Sequence, residues 1–64
     1  MPDLYGKNIC ACCGKTMVGF FQVCKVCGWE NDYFQNEEPD FAGCANQMSL
    51  NEAKQAYKEG KKVY

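Results

Sequence analysis

The stretch CACCGKTMVGFFQVCKVCG, residues 10–28, holds five of the six cysteines of this 64-residue chain. Two of its segments, CACCG (10–14) and CKVCG (24–28), share the pattern C-x-x-C-G. Two cysteines separated by two residues can turn both sulfurs toward one point, and the glycine that follows permits a tight turn whose amides donate to the thiolates. The two knuckles, as we call these segments, therefore predict one site with four sulfur ligands.

Four sulfur ligands match the tetrahedral coordination that zinc prefers. The predicted ligands of one structural zinc ion are Cys10, Cys13, Cys24 and Cys27. Iron in a rubredoxin-like site is the alternative, because four thiolates hold either metal. A complete tetrathiolate leaves no coordination position for water or substrate, so the site is expected to be structural.

Cys12 and Cys44 are left over by this assignment. We expect both to be free thiols, with Cys44 packed as a small apolar side chain. A Cys12–Cys44 disulfide is the alternative. A thioredoxin-like redox site is disfavoured, since its C-x-x-C begins a helix within a βαβ unit for which this chain has no room.

The length of the chain also favours a metal-stabilised domain. A chain of 64 residues buries a small share of its surface, and such domains usually need a metal, disulfides or a partner to be stable. Residues 1–64 are predicted to form a single zinc-binding domain, with residues 1–7 as a frayed start. Met1-Pro2-Asp3 lacks the basic start of a secretory signal, and no stretch could span a membrane. We therefore expect a cytoplasmic protein, in which reduced thiols favour metal over disulfides.

The predicted fold is a small metal-stapled α+β domain of the zinc-ribbon or rubredoxin-like kind. Its paired knuckles are expected on a short β-hairpin in which Met17-Val18 turns near Gly19 onto residues 20–23. Residues 30–48 read as a long loop, rich in turn formers and packed by its own aromatic residues Tyr33, Phe34 and Phe41.

A C-terminal helix is predicted over about residues 49–59. Ser49 and Glu52 have the spacing of a capping box. An apolar face and a glycine at the end complete the pattern, in Leu50, Ala53, Ala56, Tyr57 and Gly60.

The sequence also predicts contacts for two further residues, Trp29 and Asn46. Trp29 follows the second knuckle and is expected to cover one side of the metal site, packed on Phe41 or Tyr57. Asn46 is expected to tie the loop to the backbone through an Asx turn.

The runs CACCG, CKVCGWEND and PDFAGCANQMSLNEA, in this order, resemble the cysteine-rich bacterial family named for its Cys-Pro-Cys-Cys motif. The resemblance covers about residues 9–57 and implies a small metal-binding protein. Ala11 and Lys25 stand where the family has prolines, Asn31 where it commonly has aspartate, and Cys44 where it has glycine. The prolines are not ligands, so their loss should loosen the knuckles without removing the site. The motif includes Cys12, so the resemblance does not itself decide which cysteines bind.

The function that these features predict is binding of another protein by a surface that the metal holds in place. The chain has no histidine, so the usual general base is missing and catalysis is not expected. It also has no arginine and a formal net charge of −1, which argues against nucleic-acid recognition by a zinc ribbon. A rubredoxin-like electron carrier and a metal-handling or thiol-redox role remain as alternatives, and the oligomeric state stays open.

Overall fold

The computed structural model describes residues 7–64, so the predicted frayed start lies outside the described residues except for Lys7. These residues form an α+β fold with a two-stranded sheet and two helices. In chain order these are β1 (Asn8–Ile9), β2 (Met17–Val18), α1 (Tyr33–Glu37) and α2 (Leu50–Lys58). No helix among the described residues has the length and apolar character needed to cross a bilayer.

Each knuckle is the tip of its own hairpin. Strands β1 and β2 are antiparallel and enclose the first knuckle, with Asn8 opposite Val18 and Ile9 opposite Met17. An isolated antiparallel bridge between Val23 and Glu30 encloses the second knuckle in the same way. The chain therefore contains two short hairpins in tandem.

The predicted place of the hairpin was wrong. Residues 19–22 form a turn, in which the Gln22 N–H donates to the Gly19 carbonyl over 3.1 Å, and β2 pairs backward with β1. A knuckle already brings the residues that flank it side by side, so pairing across it needs little further loop closure. The apolar run from Met17 to Val23 thus belongs to two hairpins rather than one.

The segment after the second knuckle contains a short helix that the sequence analysis missed. Asp32 is the N-cap of α1, and its side chain accepts hydrogen bonds from the N–H groups of Phe34 and Gln35. The helix ends at Glu37, because the ring of Pro39 disfavours helical geometry at Glu38. One turn of helix therefore divides what was predicted to be a continuous loop.

Amide side chains hold this segment together in addition to part of the predicted aromatic packing. Phe34 and Phe41 pack edge to face, with ring centroids 5.1 Å apart, but both are about half exposed, and Tyr33 contacts Phe20 instead. Gln35 is fully buried; its Nε2 donates to the carbonyls of Phe41 and Asn46, and its Oε1 accepts from the backbone and side chain of Asn46. Within residues 7–64 no buried side-chain nitrogen or oxygen lacks a hydrogen-bond partner.

Asn46 does not form the predicted Asx turn. Its Oδ1 accepts from the N–H of Glu30 over 2.8 Å, and its Nδ2 donates to the carbonyl of Glu30 over 2.9 Å. The side-chain amide thereby forms the pair of hydrogen bonds that a neighbouring strand would form with Glu30, at the outer edge of the second hairpin. The loop is tied to the backbone, as expected, but to a residue sixteen positions earlier.

A second chain of amides links the two hairpins. Trp29 Nε1 donates to Asn36 Oδ1, and Asn36 Nδ2 donates to Asn31 Oδ1. Asn31 Nδ2 in turn donates to Asn8 Oδ1 and to the carbonyl of Gly19, both over 2.8 Å. The fully buried Asn31 thus acts as donor and acceptor at once.

The C-terminal helix forms as predicted. Ser49 caps α2 in a reciprocal capping box with Glu52. Leu50, Ala53 and Ala56 are buried, and Gly60 ends the helix with a φ of 75°. A capping serine typically contributes about 1 kcal/mol to the free energy of unfolding.

The core lies between α2 and the two knuckles. Val63, which follows α2, packs into it above Gly28, where an added Cβ would meet the Val63 carbonyl oxygen at 3.0 Å. Within residues 7–64, three of the nine buried apolar side chains are cysteines, and the nine are Cys10, Cys12, Val18, Cys24, Trp29, Leu50, Ala53, Ala56 and Val63. The sulfurs are therefore core atoms as well as candidate ligands.

Substituting Asn31→Asp tests the amide chain. The carboxylate cannot donate to Asn8 or Gly19, and it would be fully buried beside them. We expect a loss of about 2–4 kcal/mol in the free energy of unfolding, measured by denaturant titration. The control Gln47→Glu makes the same chemical change at an exposed position and should stay within about 0.5 kcal/mol. Equal effects of the two substitutions would contradict the role assigned to Asn31.

Candidate metal centre

The two knuckles have the same backbone. In each, the glycine N–H donates to the carbonyl of the first cysteine, over 2.9 Å from Gly14 to Cys10 and 2.8 Å from Gly28 to Cys24. Both glycines have positive φ, 69° and 95°, a conformation that side chains with a Cβ rarely adopt. The C-x-x-C-G pattern therefore acts as predicted, and each turn directs two sulfurs to the same side.

The four predicted ligands come together at one point. The Sγ atoms of Cys10, Cys13, Cys24 and Cys27 all lie within 4.8 Å of one another. The closest contacts cross between the knuckles, 3.6 Å from Cys10 Sγ to Cys27 Sγ and 3.7 Å from Cys13 Sγ to Cys24 Sγ. A tetrahedral ion with metal–sulfur bonds of about 2.3 Å separates its sulfurs by about 3.8 Å, so the residues fit such an ion. The four cysteines are positioned to bind a metal.

Backbone amides point at the sulfurs of the second knuckle. The N–H of Val26 donates to Cys24 Sγ, and the N–H of Trp29 donates to Cys27 Sγ, each over 3.4 Å. Such donors favour the thiolate, which is the form that binds metal. For the second knuckle, these bonds confirm the expectation that amides in the turns donate to the sulfurs.

The thiols differ in acidity because their surroundings differ. Burial would raise the pKa of Cys24, but the N–H groups of Cys27 and Val26 and neighbouring thiols lower it to about 7. Burial raises the pKa of Cys13 and, more strongly, that of Cys27, where contact with other sulfurs adds to the effect. One ligand is thus partly ionised at neutral pH, while two keep their protons until a metal displaces them.

The two extra cysteines occupy different surroundings. Cys12 is buried in the core, and burial raises the pKa of its thiol. Cys44 is exposed, so the prediction that it packs as a small apolar side chain was wrong. The segment that carries it is held by hydrogen bonds of Gln35 and Asn46. All six cysteines are free thiols in the structure.

Trp29 is buried in the same core cluster as Cys10 and Cys24, and it has a hydrogen-bond partner that the sequence analysis missed. Its side chain is fully buried in the core cluster, against which Tyr57 also packs. Phe41, the other predicted neighbour, pairs with Phe34 instead. The indole N–H donates to Asn36 Oδ1. No local sequence pattern predicts this hydrogen bond, because it depends on where α1 places Asn36.

Replacing Cys13 or Cys27 by serine should remove the metal and the cooperative fold together. A metal bound by four thiolates contributes its binding free energy to folding, and one missing ligand weakens the whole site. Metal content by mass spectrometry and thermal unfolding by circular dichroism would measure the two effects. The control Cys44→Ser, at an exposed position, should keep both. Full metal content in either ligand variant would refute the ligand assignment.

Zinc binding at pH 7 should release at least two protons. Cys13 and Cys27 have raised pKa values and carry protons before the metal arrives. The apparent affinity should therefore fall at least about a hundredfold for each pH unit below 7, about tenfold for each displaced proton. Calorimetry in buffers of different ionisation enthalpy counts these protons. Release of fewer than two would show that these thiols are already ionised or do not bind.

Comparison with known proteins agrees with this geometry. No curated protein matches the chain. The model of the cysteine-rich CPCC family matches residues 8–60, which include both knuckles, α1 and α2. The chain belongs to the cysteine-rich CPCC family.

Proposed function

We propose that this chain is a non-catalytic protein-binding module folded around one structural zinc ion held by Cys10, Cys13, Cys24 and Cys27. The observation that carries the binding role is a cluster of aromatic side chains at the surface beside the second hairpin. The metal would fix the two hairpins relative to each other and so hold this cluster in place.

The sulfur geometry supports a structural metal. All four positions of a tetrahedral ion would be filled by protein, so no site remains for a substrate. Cys10 and Cys24 are 1% exposed, and Cys13 and Cys27 are partly covered. A bound zinc ion would supply a cross-link between the hairpins, and its binding free energy would stabilise a fold with little apolar core of its own.

The aromatic cluster consists of Phe20, Phe21 and Tyr33. Phe20 makes edge contacts with both neighbours, with ring centroids 4.6 Å from Phe21 and 5.1 Å from Tyr33. Phe20 is 51% and Phe21 44% exposed. The sequence has more aromatic residues than so small a core needs, which predicts that some of Tyr5, Phe20, Phe21, Tyr33, Phe34 and Tyr64 stay at the surface. Phe20, Phe21, Phe34 and Tyr64 are exposed and Tyr33 is partly buried, whereas Tyr5 lies outside the described residues. Clustered exposed aromatic side chains are typical of contact sites for proteins.

Phe21 is held in a conformation that its side chain disfavours. It occupies the third position of the turn at residues 19–22 with a φ of 52°, where glycine or asparagine is usual. A left-handed conformation costs a residue with a Cβ about 1–2 kcal/mol. Strain retained at an exposed aromatic residue supports a role in contact, because folding alone would favour a smaller residue there.

A rubredoxin-like iron centre is the second candidate. The N–H groups of Val26 and Trp29 that point at sulfurs would stabilise a reduced iron site as well as a zinc thiolate site. Protein purified from its own cells decides between them: zinc gives a colourless protein, and iron gives a red one that absorbs visible light. An iron-loaded protein with reversible one-electron reduction would favour the carrier.

The binding role is tested by affinity capture with matched variants. The wild-type chain, a Phe20→Ser/Phe21→Gly variant and the control Phe34→Ser, all loaded with metal, are used as baits. We expect a partner that the wild type and the control retain and the double variant loses, since Phe34 is exposed but lies outside the cluster. A partner retained equally by all three would contradict the contact role of the cluster.

The substitution Phe21→Gly separates contact from stability. Glycine removes the left-handed strain of about 1–2 kcal/mol, which offsets the loss of a half-exposed ring. We therefore expect the free energy of unfolding, measured by thermal denaturation, to change by less than about 1 kcal/mol while partner binding weakens. A large loss of stability would instead assign Phe21 a structural role.

A further inference from the structure

A groove of about 330 Å³ lies between the first hairpin and the chain that leads into the second knuckle. Met17 and Val18 of β2 form one part of its lining, and Val23 forms another. Lys7 and Lys25 also line it. Its volume is near the lower end of that of ligand pockets, about 300–1,000 Å³. The groove is separate from the four-sulfur site and from the aromatic cluster.

Two strand edges in this groove have backbone groups turned away from their own hairpins. Cys10 and Thr16 are joined by a hydrogen bond, so the next pair, Ile9 and Met17, is of the kind that is not hydrogen-bonded. The N–H and the carbonyl of Met17 therefore point away from β1.

The same alternation holds in the second hairpin. The bonds that flank the bridge between Val23 and Glu30 leave the backbone groups of both residues pointing outward. Those of Glu30 are taken by the side-chain amide of Asn46. Among the hydrogen bonds that join residues 7–64, none uses the N–H or the carbonyl of Met17 or Val23.

The side chains of the groove suit an extended peptide. Met17 is 48% and Val23 56% exposed, so both present apolar surface for a partner's side chains. The charged residues of the lining are Lys7 and Lys25, both exposed, and no acidic residue lines it. Such a lining attracts carboxylates and repels other cations.

We propose that this groove binds an acidic, extended segment of a partner protein. The segment adds its backbone to the edges at Met17 and Val23, and its carboxylates lie against Lys7 and Lys25. This is strand addition, in which main-chain hydrogen bonds supply affinity and alternate side chains supply specificity. The inference rests on the proposed protein-binding function and names the chemistry of a partner.

Two other occupants fit the groove less well. The acidic run of this chain, residues 37–40, is already held against α2, because Pro39 and Asp40 both accept hydrogen bonds from Asn51. Pro39 also lacks the N–H that strand pairing needs. A nucleic acid would find two lysines but no aromatic or arginine side chain for its bases in the lining.

The test is a titration of the metal-loaded, nitrogen-15-labelled full chain with the peptide acetyl-Glu-Val-Thr-Val-Glu-amide, followed by nuclear magnetic resonance. We expect the amide signals of Met17 and Val23 to shift and to exchange more slowly, with half-saturation below about 1 mM. A peptide with lysine in place of both glutamates, and an acidic peptide with N-methylated valines, should bind at least about tenfold more weakly. The first control removes the charge complementarity and the second removes the backbone donors.

Substitutions on the protein give the matching comparison. Lys7→Glu and Lys25→Glu should each weaken binding of the acidic peptide about three- to tenfold, and more so at low salt. The control Lys54→Glu makes the same charge change on α2, away from the groove, and should leave binding within about twofold. Lys7 lies outside both knuckles, so its variant tests the groove even if Lys25→Glu disturbs the metal site.

Four outcomes would overturn the proposal. In the first, the acidic peptide leaves the amide signals of Met17 and Val23 unchanged; in the second, the lysine peptide binds as tightly as the acidic one. In the third, single-stranded oligothymidylate shifts the same signals more than the acidic peptide does. In the fourth, the chain dimerises with rising concentration and the dimer contact occupies the groove. If the groove fails but the Phe20/Phe21 variant still loses its partner, the protein-binding function stands and only the site is wrong. If both fail, the protein-binding function itself is wrong.

Discussion

The convergence of four cysteine sulfurs is the constraint on which the rest of this structure depends. Two glycine-ended turns point Cys10, Cys13, Cys24 and Cys27 at one point, with cross-knuckle contacts of 3.6 and 3.7 Å. The neighbouring apolar core is too small to hold two hairpins by itself, and cysteines form a third of its buried apolar side chains. A metal at this point would join the hairpins, bury the sulfurs and provide most of the free energy of folding.

Buried amides provide the second level of organisation. The carboxamides of Asn31, Gln35 and Asn46 each form hydrogen bonds with backbone groups distant in sequence. In larger domains, strands and helices satisfy such backbone groups. A carboxamide can donate and accept at once, so a few such groups can satisfy a loop that has no sheet to join. The cost of leaving any of them unpaired when buried makes the arrangement specific as well as stable.

Sulfurs and amides take up much of the interior, and several large apolar side chains lie at the surface, although Trp29 and Leu50 are buried. Phe20, Phe21, Met17 and Val23 are each about half exposed although the whole chain has few apolar residues to spare. They lie on the outside of the two hairpins, whose relative position would depend on the metal. A scaffold of this kind links metal binding to recognition: the same ion that folds the chain would arrange the surfaces that a partner contacts.

The local patterns of the sequence determined the two knuckles and the capped helix that precedes Gly60, because each depends on residues within a few turns of backbone. The repeated C-x-x-C-G pattern also indicated that the four sulfurs meet, although the contacts that bring them together cross between the knuckles. Only the tertiary structure showed which residues distant in sequence pair with each other. The sequence did not reveal that β2 pairs backward across its knuckle or that Asn46 closes the edge at Glu30, since isolated two-residue strands and single amides carry no periodic signal. It also placed Cys44 and Phe41 inside, because composition favours burying them. Both are exposed in the structure, where hydrogen bonds of the Gln35 and Asn46 amides help to hold their segment in place.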